Sequence, residues 1–492
     1  MEPREIIKRI RAFEGNFPVS SLEFEGINYW PLFRIYLAWK MFSTEESDVK
    51  KDYSPKAPVR RFRLGPFRKV ADYIRFIAIS IRYYFRIFHT RFEFRPHSYA
   101  AFFSWNHHRS AKYLKKRFNP YSDSLSLLLK NKVKTLTFEQ TFGGAFESVW
   151  SDHFDFSKLC RDVDFIRNFK GEDRGLPKIE IGNFRPYAVH FDLLGVNIED
   201  GIGELETLVI DSGRKLERYK KILSLLSPQA AFLYCFYDIE NLLIIKACND
   251  LNIPVVELQH GRVKEHWAYE FLSYIPLNGR CWIPKNFWLW DEPSREFLES
   301  LGVKEFADIK VIGNPWAYLN QKGYLTEKDI RDRNAAINPT FVNVLVTLQG
   351  KGIPNFLRNA IEESDVNTKW HIRLHPRYKE TAECMEFLDS KPEKIEWKNA
   401  SERELYSILP KMDYHLTFYS VVCVEAGYFG IHNLVMDSLA VDAYGKDREN
   451  YSLVQSKEEI LSHVNRKSDR FQKETLVDSE SEATDGLYSL LN

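Results

Sequence analysis

From Tyr99 onward the chain alternates short apolar runs with longer stretches of helical periodicity. The runs Tyr99–Ser104, Lys134–Phe138, Ala230–Phe236 and Pro254–Leu258 come first. Phe287–Trp290, Ile309–Ile312, Val342–Thr347, Trp370–Leu374, Lys394–Trp397, Tyr414–Phe418 and Asn433–Met436 follow, with helical segments such as Pro293–Leu301 and Ser401–Leu409 between them. Strands that alternate with helices predict parallel βαβ units and doubly wound sheets. Two α/β units of about 180 residues each accommodate the series. The expected boundary lies at 275–285, where Ile275-Pro276-Leu277-Asn278-Gly279 interrupts the pattern. This divides the chain into 1–95, 96–280, 281–445 and a tail, 446–492, with one charged helix and a polar stretch.

The first 95 residues have a different texture. Val70, Ile74, Ile77, Ile81, Phe85 and Phe88 recur at spacings of three and four, the period of an amphipathic helix. Arg68, Arg75, Arg82 and Arg86 fall on one stripe of that helix. Residues 56–92 carry ten Lys and Arg against one acid, Asp72. A helix lying on an anionic membrane surface has this composition, and so does a helix packed on its own protein with a solvated arginine face. Residues 52–66, with Pro55, Pro58 and Pro66, read as the linker into it. Gly26 to Arg34 leads into an earlier apolar helix ending near Phe42, with Trp30 and Arg34 at a buried helix start.

At 492 residues the chain can bury large cores without disulfides. Its 69 basic and 68 acidic residues give a net charge of +1, which excludes the global basic excess of a nucleic-acid binder. The six cysteines form no CxxC pair, neither a zinc spacing nor a disulfide framework, so a reducing compartment is expected. The charged N-terminus lacks the apolar core of a signal peptide, and no run approaches the roughly 20 apolar residues of a spanning helix. The expectation is a cytoplasmic protein.

Ligands of open α/β sheets bind beyond the carboxyl ends of the strands, so the residues after each predicted strand are the candidates. Pro254–Leu258 ends in Gln259-His260-Gly261, where a histidine can exchange a proton near neutral pH and a glycine lets backbone approach a ligand. Ile309–Ile312 runs into Gly313-Asn314-Pro315. Trp370–Leu374 runs into His375-Pro376-Arg377, with Arg373 inside the strand; either guanidinium suits a phosphate or a local carboxylate. Tyr414–Phe418 is followed by Ser420 at the start of a helix over 421–429 that contains Glu425. Free amides at a helix start favour an anion. No GxGxxG opens either unit, which argues against a dinucleotide-dependent oxidoreductase.

In that order these four motifs resemble the bacterial capsule and surface-polysaccharide glycosyltransferases of GT-B architecture, two Rossmann-like domains facing across a cleft. Within that group the chain is most similar to the Kdo, sialic-acid and other nonulosonic-acid transferases that use CMP-sugars. Glycerophosphotransferases of teichoic-acid synthesis share part of the pattern. The resemblance covers about 97–445, and residues 1–95 would be an added helical region. It implies that His375 and Pro376 contact the nucleotide phosphate, that Ser420 sits at the phosphate-binding helix, that Glu425 holds the ribose and that His260 lines the cleft. It further implies a catalytic acid in the first α/β unit, for which Glu139 and Asp238 each follow a strand. Asp238 equally suits the cap of a helix beginning at Ile239.

Glycosyl transfer passes through an oxocarbenium-like transition state and needs a carboxylate near the anomeric carbon and cationic groups that hold the leaving phosphate. The implied partners are a nucleotide-sugar donor and a lipid-linked or oligosaccharide acceptor at the inner face of the cell membrane. Neither a cofactor nor an essential metal is expected. A CDP-alcohol-dependent polyol-phosphate transferase and a non-catalytic assembly protein with a GT-B shell are the alternatives.

Overall fold

The apolar runs assemble into two parallel sheets. The computed structural model of the chain describes residues 3–43, 66–141, 148–170, 194, 201–323, 337–375, 380–445, 449–467 and 477–491. Seven strands form the first sheet: β1 (Tyr99–Trp105), β2 (Lys134–Gln140), β3 (His153–Asp155), β4 (Ala230–Leu233), β5 (Val255–Leu258), β6 (Asn286–Leu289) and β7 (Asp308–Val311). Their order across the sheet is β3-β2-β1-β4-β5-β6-β7, and every neighbouring pair is parallel. Apolar clusters cover both faces, Phe103, Phe138 and Leu233 on one and Phe102, Phe232 and Trp288 on the other. Burial on both sides explains why these strands read as continuous apolar runs rather than alternating ones.

The N-terminal residues belong to this first core. α1 (Pro3–Asn16) and α2 (Trp30–Ser43) bury Ile6, Ile10, Phe13 and Trp30 in the cluster that holds the sheet's first face. Arg34 sits at the predicted buried helix start. Its Nη1 donates to Glu14 Oε1 (2.8 Å) and to the Tyr274 carbonyl (2.8 Å), and Trp30 Nε1 donates to the same Glu14 oxygen (2.7 Å). α3 (Pro66–Phe94) packs on α4 (Phe156–Lys170), and three of its arginines reach that side of the protein, Arg75 and Arg82 remaining exposed. Arg82 pairs with Asp162, its Nε 2.9 Å from Oδ2. Arg75 and Arg86 lie over the rings of Phe165 and Phe154, at 5.0 and 5.8 Å. Of the two readings of the arginine stripe, these contacts with α4 and β3 favour a helix packed on its own protein with a partly solvated arginine face for Arg75, Arg82 and Arg86; the Arg68 side chain and residues 44–65 lie outside the described ones. α5 (Ile239–Asp250) follows β4 and is buried along most of its length.

Six strands form the second sheet: β8 (Val342–Thr347), β9 (Thr368–Arg373), β10 (Ile395–Glu396), β11 (Tyr414–Thr417), β12 (His432–Val435) and β13 (Tyr451–Leu453), in the order β10-β9-β8-β11-β12-β13. All five pairings are parallel. Both sheets thus carry the strand order in which the chain winds outward from one central pair, β1/β4 in the first and β8/β11 in the second. α6 (Pro315–Gln321), α7 (Val422–Gly427) and α8 (Lys457–Val464) belong to this unit. The predicted helix over 401–409 is broken into Lys398–Glu402 and Leu405–Ile408.

The chain divides into one unit of Met1–His108, Tyr121–Ile312 and Glu480–Asn492 and another of Arg109–Pro120 and Gly313–Ser479. The boundary expected at 275–285 is displaced to Ile312, because β6 and β7 continue the first sheet, with Phe287 beside Glu257 on β5. The Pro276–Gly279 signal marks a 3-10 turn, Leu277–Trp282, whose Trp282 is buried and donates from Nε1 to the Asn28 carbonyl at 3.0 Å. The tail also departs from expectation. Its last helix, α9 (Ser479–Leu491), returns to the first unit, where Ala483 and Leu487 join Trp288 and Ile312. Gly486 makes the approach possible: a Cβ there would lie 2.7 Å from Trp288 Cζ2. Among the described residues no helix is long and apolar enough to cross a membrane.

Candidate functional site

The central strand pair of each sheet is where the chain departs in opposite directions, opening a crevice at the carboxyl ends. In the first unit β1 runs into Asn106-His107-His108 and β4 into Tyr234-Cys235-Phe236-Tyr237, with His260 arriving from the end of β5. These residues meet. His108 Nδ1 is 3.0 Å from Tyr234 Oη, His260 Nε2 is 2.9 Å from Cys235 Sγ and 3.2 Å from Tyr237 Oη, and Tyr121 stands edge-on to the His260 ring. His260 is half-buried as a residue, and its Nδ1 is enclosed. His107 and His108 were not singled out in the sequence, although they follow a predicted strand and the same strand-end rule finds them.

The loop after β4 is held under strain. Cys235 has φ +60°, a left-handed conformation that is unfavourable for a side chain with a Cβ and that ends the strand three residues earlier than the apolar run suggested. Asn241 Nδ2 donates to the carbonyls of Tyr234 (2.8 Å) and Cys235 (3.1 Å). From beneath, Glu257 accepts from the Phe236 amide and from Tyr269 Oη, both at 3.1 Å, and burial pushes its carboxyl well above the ordinary carboxylate value. An acid in the middle of the apolar run Val255–Leu258 was its sequence signal.

The other expected residues of this unit have local work. Asp238 caps α5, its Oδ1 accepting from the amides of Glu240 (2.8 Å) and Asn241 (3.3 Å). Glu139 is wholly buried within β2, in register with Ser104 and Asp155. Glu139 is thus enclosed in the sheet, whereas Asp238 has the capping role that the sequence also offered. Gln259 ties two loops together: its Oε1 accepts from the Trp290 amide at 2.7 Å and its Nε2 donates to the Gly261 carbonyl at 3.0 Å. Gln259 thereby orients the turn that carries His260. Gly261 has open space where a Cβ would stand.

In the second unit β8 leads into Gln349-Gly350-Lys351-Gly352, a glycine loop the sequence reading did not single out. Gly350 and Gly352 have φ +73° and +70°, and their amides donate to Glu380 Oε1 and Oε2, each at 3.0 Å. Two successive turns that aim amides at one carboxylate make an oxyanion seat. Lys351 Nζ lies 4.6 Å from the centre of the Tyr419 ring, and the Tyr419 amide donates to Gln349 Oε1 at 3.0 Å, joining this loop to the one after β11. Ser420 Oγ accepts from the Val422 amide at 3.3 Å at the start of α7, a helix shorter than the one expected over 421–429. His375 is half-buried two residues past β9, and Pro376 and Arg377 lie outside the described residues. Arg373 Nη1 donates to the carbonyls of Ala400 (2.7 Å) and Arg403 (2.6 Å), which fixes it to the segment after β10.

Gly313-Asn314-Pro315 opens α6. Asn314 Oδ1 accepts from the amides of Trp316 and Ala317, Pro315 is the first helical residue, and Gly313 has φ +74° with Ser479 Oγ 2.8 Å from where a Cβ would be. All three residues are explained by the turn and the cap.

Glu425 accepts from Tyr406 Oη at 3.0 Å, with Glu404 nearby raising its pKa and Arg373 lowering it; burial dominates and pushes its carboxyl up to about 7. A folded value above the ordinary 4.5 means that the folded protein holds the proton longer than the unfolded chain. Stability from Glu425 is therefore complete below 4.5 and lost as the pH rises through about 7. In Glu425→Gln that part of the decline in melting temperature is expected to vanish, as differential scanning fluorimetry across this window would register. An unchanged slope would show that Glu425 titrates normally.

No protein-family model matches the sequence, and no curated protein does. Among solved structures, the UDP-GlcNAc 2-epimerase of Neisseria meningitidis bound to UDP-GlcNAc overlaps 80% of this chain and 99% of its own, with 14% identity and a TM-score of 0.47. The UDP-N-acetylglucosamine 2-epimerase of Rickettsia bellii overlaps 80% and 96%, with 14% identity and a TM-score of 0.46. A UGT transferase of Siraitia grosvenorii in complex with UDP overlaps 80% and 94%, with 9% identity and a TM-score of 0.39. Likenesses of this degree carry no argument about what this chain does, and its fold rests on the order and direction of its own strands.

Proposed function

We propose that the chain is a glycosyltransferase of GT-B type that moves a sugar, a nonulosonic acid such as Kdo or a sialic or pseudaminic-type acid, from a CMP-sugar to a capsule, O-antigen or related surface glycan. The observation that carries this reading is the pair of glycine amides on the Glu380 carboxylate at the central crevice of the second sheet. Amides already arranged around one oxyanion are arranged for a phosphate, and the donor phosphate takes the place of Glu380 when it binds. Lys351, Ser420 and His375 supply the remaining polar groups of that edge, and Glu425 takes the ribose hydroxyls. Resemblance of the strand-end motifs to CMP-sugar transferases supports the identity of the nucleotide.

His260, at the corresponding edge of the first sheet, is the base. It accepts the proton of the acceptor hydroxyl as that oxygen bonds to the anomeric carbon. The bond from that carbon to the phosphate oxygen breaks, and CMP leaves with the electron pair.

His375→Ala is expected to weaken CMP binding by about tenfold or more, the loss of one hydrogen bond to a charged group, with the melting temperature unchanged. Calorimetric titration that gave wild-type affinity for a folded variant would remove His375 from the phosphate site. The reaction itself is tested by incubating the protein with CMP-sugars and, separately, with CDP-glycerol, and measuring CMP release. Release from a CMP-sugar in the presence of a glycan acceptor is expected. Release from CDP-glycerol alone would replace the reading with polyol-phosphate transfer, and no nucleotide binding at all would favour a scaffold.

A further inference from the structure

Helix α3 engages α4 and β3 through Arg75, Arg82 and Arg86 and leaves a row of large apolar side chains exposed. Ile74, Ile77, Ile81, Phe85, Phe88 and Phe92 recur at steps of three and four along one face and are 41% to 80% exposed, with Tyr73 and Tyr84 beside them. The opposite face buries Ile79, Tyr83, Ile87 and Phe94. Proteins that stay in water rarely display a continuous apolar stripe of this size. The stripe runs into a cavity of about 900 Å³ whose lining includes Phe92 together with Arg91, Arg95, Lys130, Lys132 and Lys134, against the acid Glu93. All five cations are exposed, and among the described residues none has an ion-pair partner. The cavity lies at the amino ends of β1, β2 and β4, the edge of the first sheet opposite His260.

We propose that α3 lies in the surface of an anionic bilayer, with the stripe from Ile74 to Phe92 in the acyl boundary and the Arg91–Lys134 cavity holding a lipid phosphate headgroup. An apolar face alone would suit many occupants, whereas a basic cavity continuous with its end selects one that is apolar and anionic together. The arrangement puts the apolar side chains, and not Arg75, Arg82 and Arg86, in contact with lipid. It also leaves the carboxyl edge with His260 turned away from the membrane. The proposal is independent of the reaction assigned above.

The test is co-flotation of the full chain with phosphatidylcholine vesicles and with vesicles containing phosphatidylglycerol. The wild type is expected to float with the anionic vesicles and weakly with the neutral ones. Ile81→Glu/Phe88→Glu is expected to stay at the bottom of the gradient with both. Arg91→Glu/Lys132→Glu is expected to lose the preference for anionic vesicles. All substituted positions are exposed, and an unchanged melting temperature verifies that each variant is folded. Equal flotation of the wild type and the folded stripe variant would overturn the proposal. A wild type that is dimeric in light scattering and fails to float, with a monomeric stripe variant, would overturn it in favour of a second copy of the chain.

Discussion

Replacing His260 by alanine is expected to lower turnover by about 10² or more, the range for a positioned acid–base group, while CMP affinity and the melting temperature stay close to wild type. The expectation follows from where the ring is held. Its Nε2 faces Cys235 and Tyr237, the turn beneath is fixed by Asn241 and Glu257, and Gln259 ties the loop that carries it. Asp238→Asn provides the contrast. An asparagine oxygen still accepts from the amides of Glu240 and Asn241, so the cap persists and turnover is expected to change little. A folded His260→Ala with wild-type turnover would end the assignment of His260, and a loss confined to Asp238→Asn would return the chemistry to that carboxylate.

Glu14→Ala is expected to lower the unfolding free energy by about 3–5 kcal/mol, the consequence of leaving one member of a buried ion pair behind. The Arg34 side chain is 2% exposed and Glu14 9%, and one Glu14 oxygen accepts from both Arg34 and the Trp30 indole. Without it the guanidinium keeps only the Tyr274 carbonyl and the face of Phe271. Glu14→Gln retains an acceptor and should lose less. Urea denaturation followed by tryptophan fluorescence measures both, and a Glu14→Ala change within about 1 kcal/mol of wild type would mean that water reaches the guanidinium.

Interior strands were legible because burial on both faces writes them as apolar runs, as in Val342 to Thr347. Within the two parallel sheets, the strands that escaped, His153–Asp155 and Tyr451–Leu453, are three-residue edge strands with little such signal. Phe287–Trp290 and Ile309–Ile312 were recognised as strands but given to the wrong unit. Local pattern does not encode which neighbour a strand pairs with, and the partner here is β5. The arginines of α3 show the same limit: periodicity put them on one face, and it is Asp162, 80 positions away, that pairs with Arg82 there.

His260, His375 and Ser420 all stand at strand ends, where the sequence rule places them. The glycine loop after β8 was passed over because Gly350-Lys351-Gly352 does not continue into GxGxxG. Its significance depends on Glu380, which folding brings to its two amides.

In a crystal structure of the protein with CMP bound, the nucleotide phosphate is expected in the crevice between β8 and β11, within hydrogen-bond distance of the Gly350 and Gly352 amides and with the Glu380 carboxylate displaced from them. A nucleotide bound elsewhere, or a Glu380 that keeps both amides while CMP is bound, would contradict it.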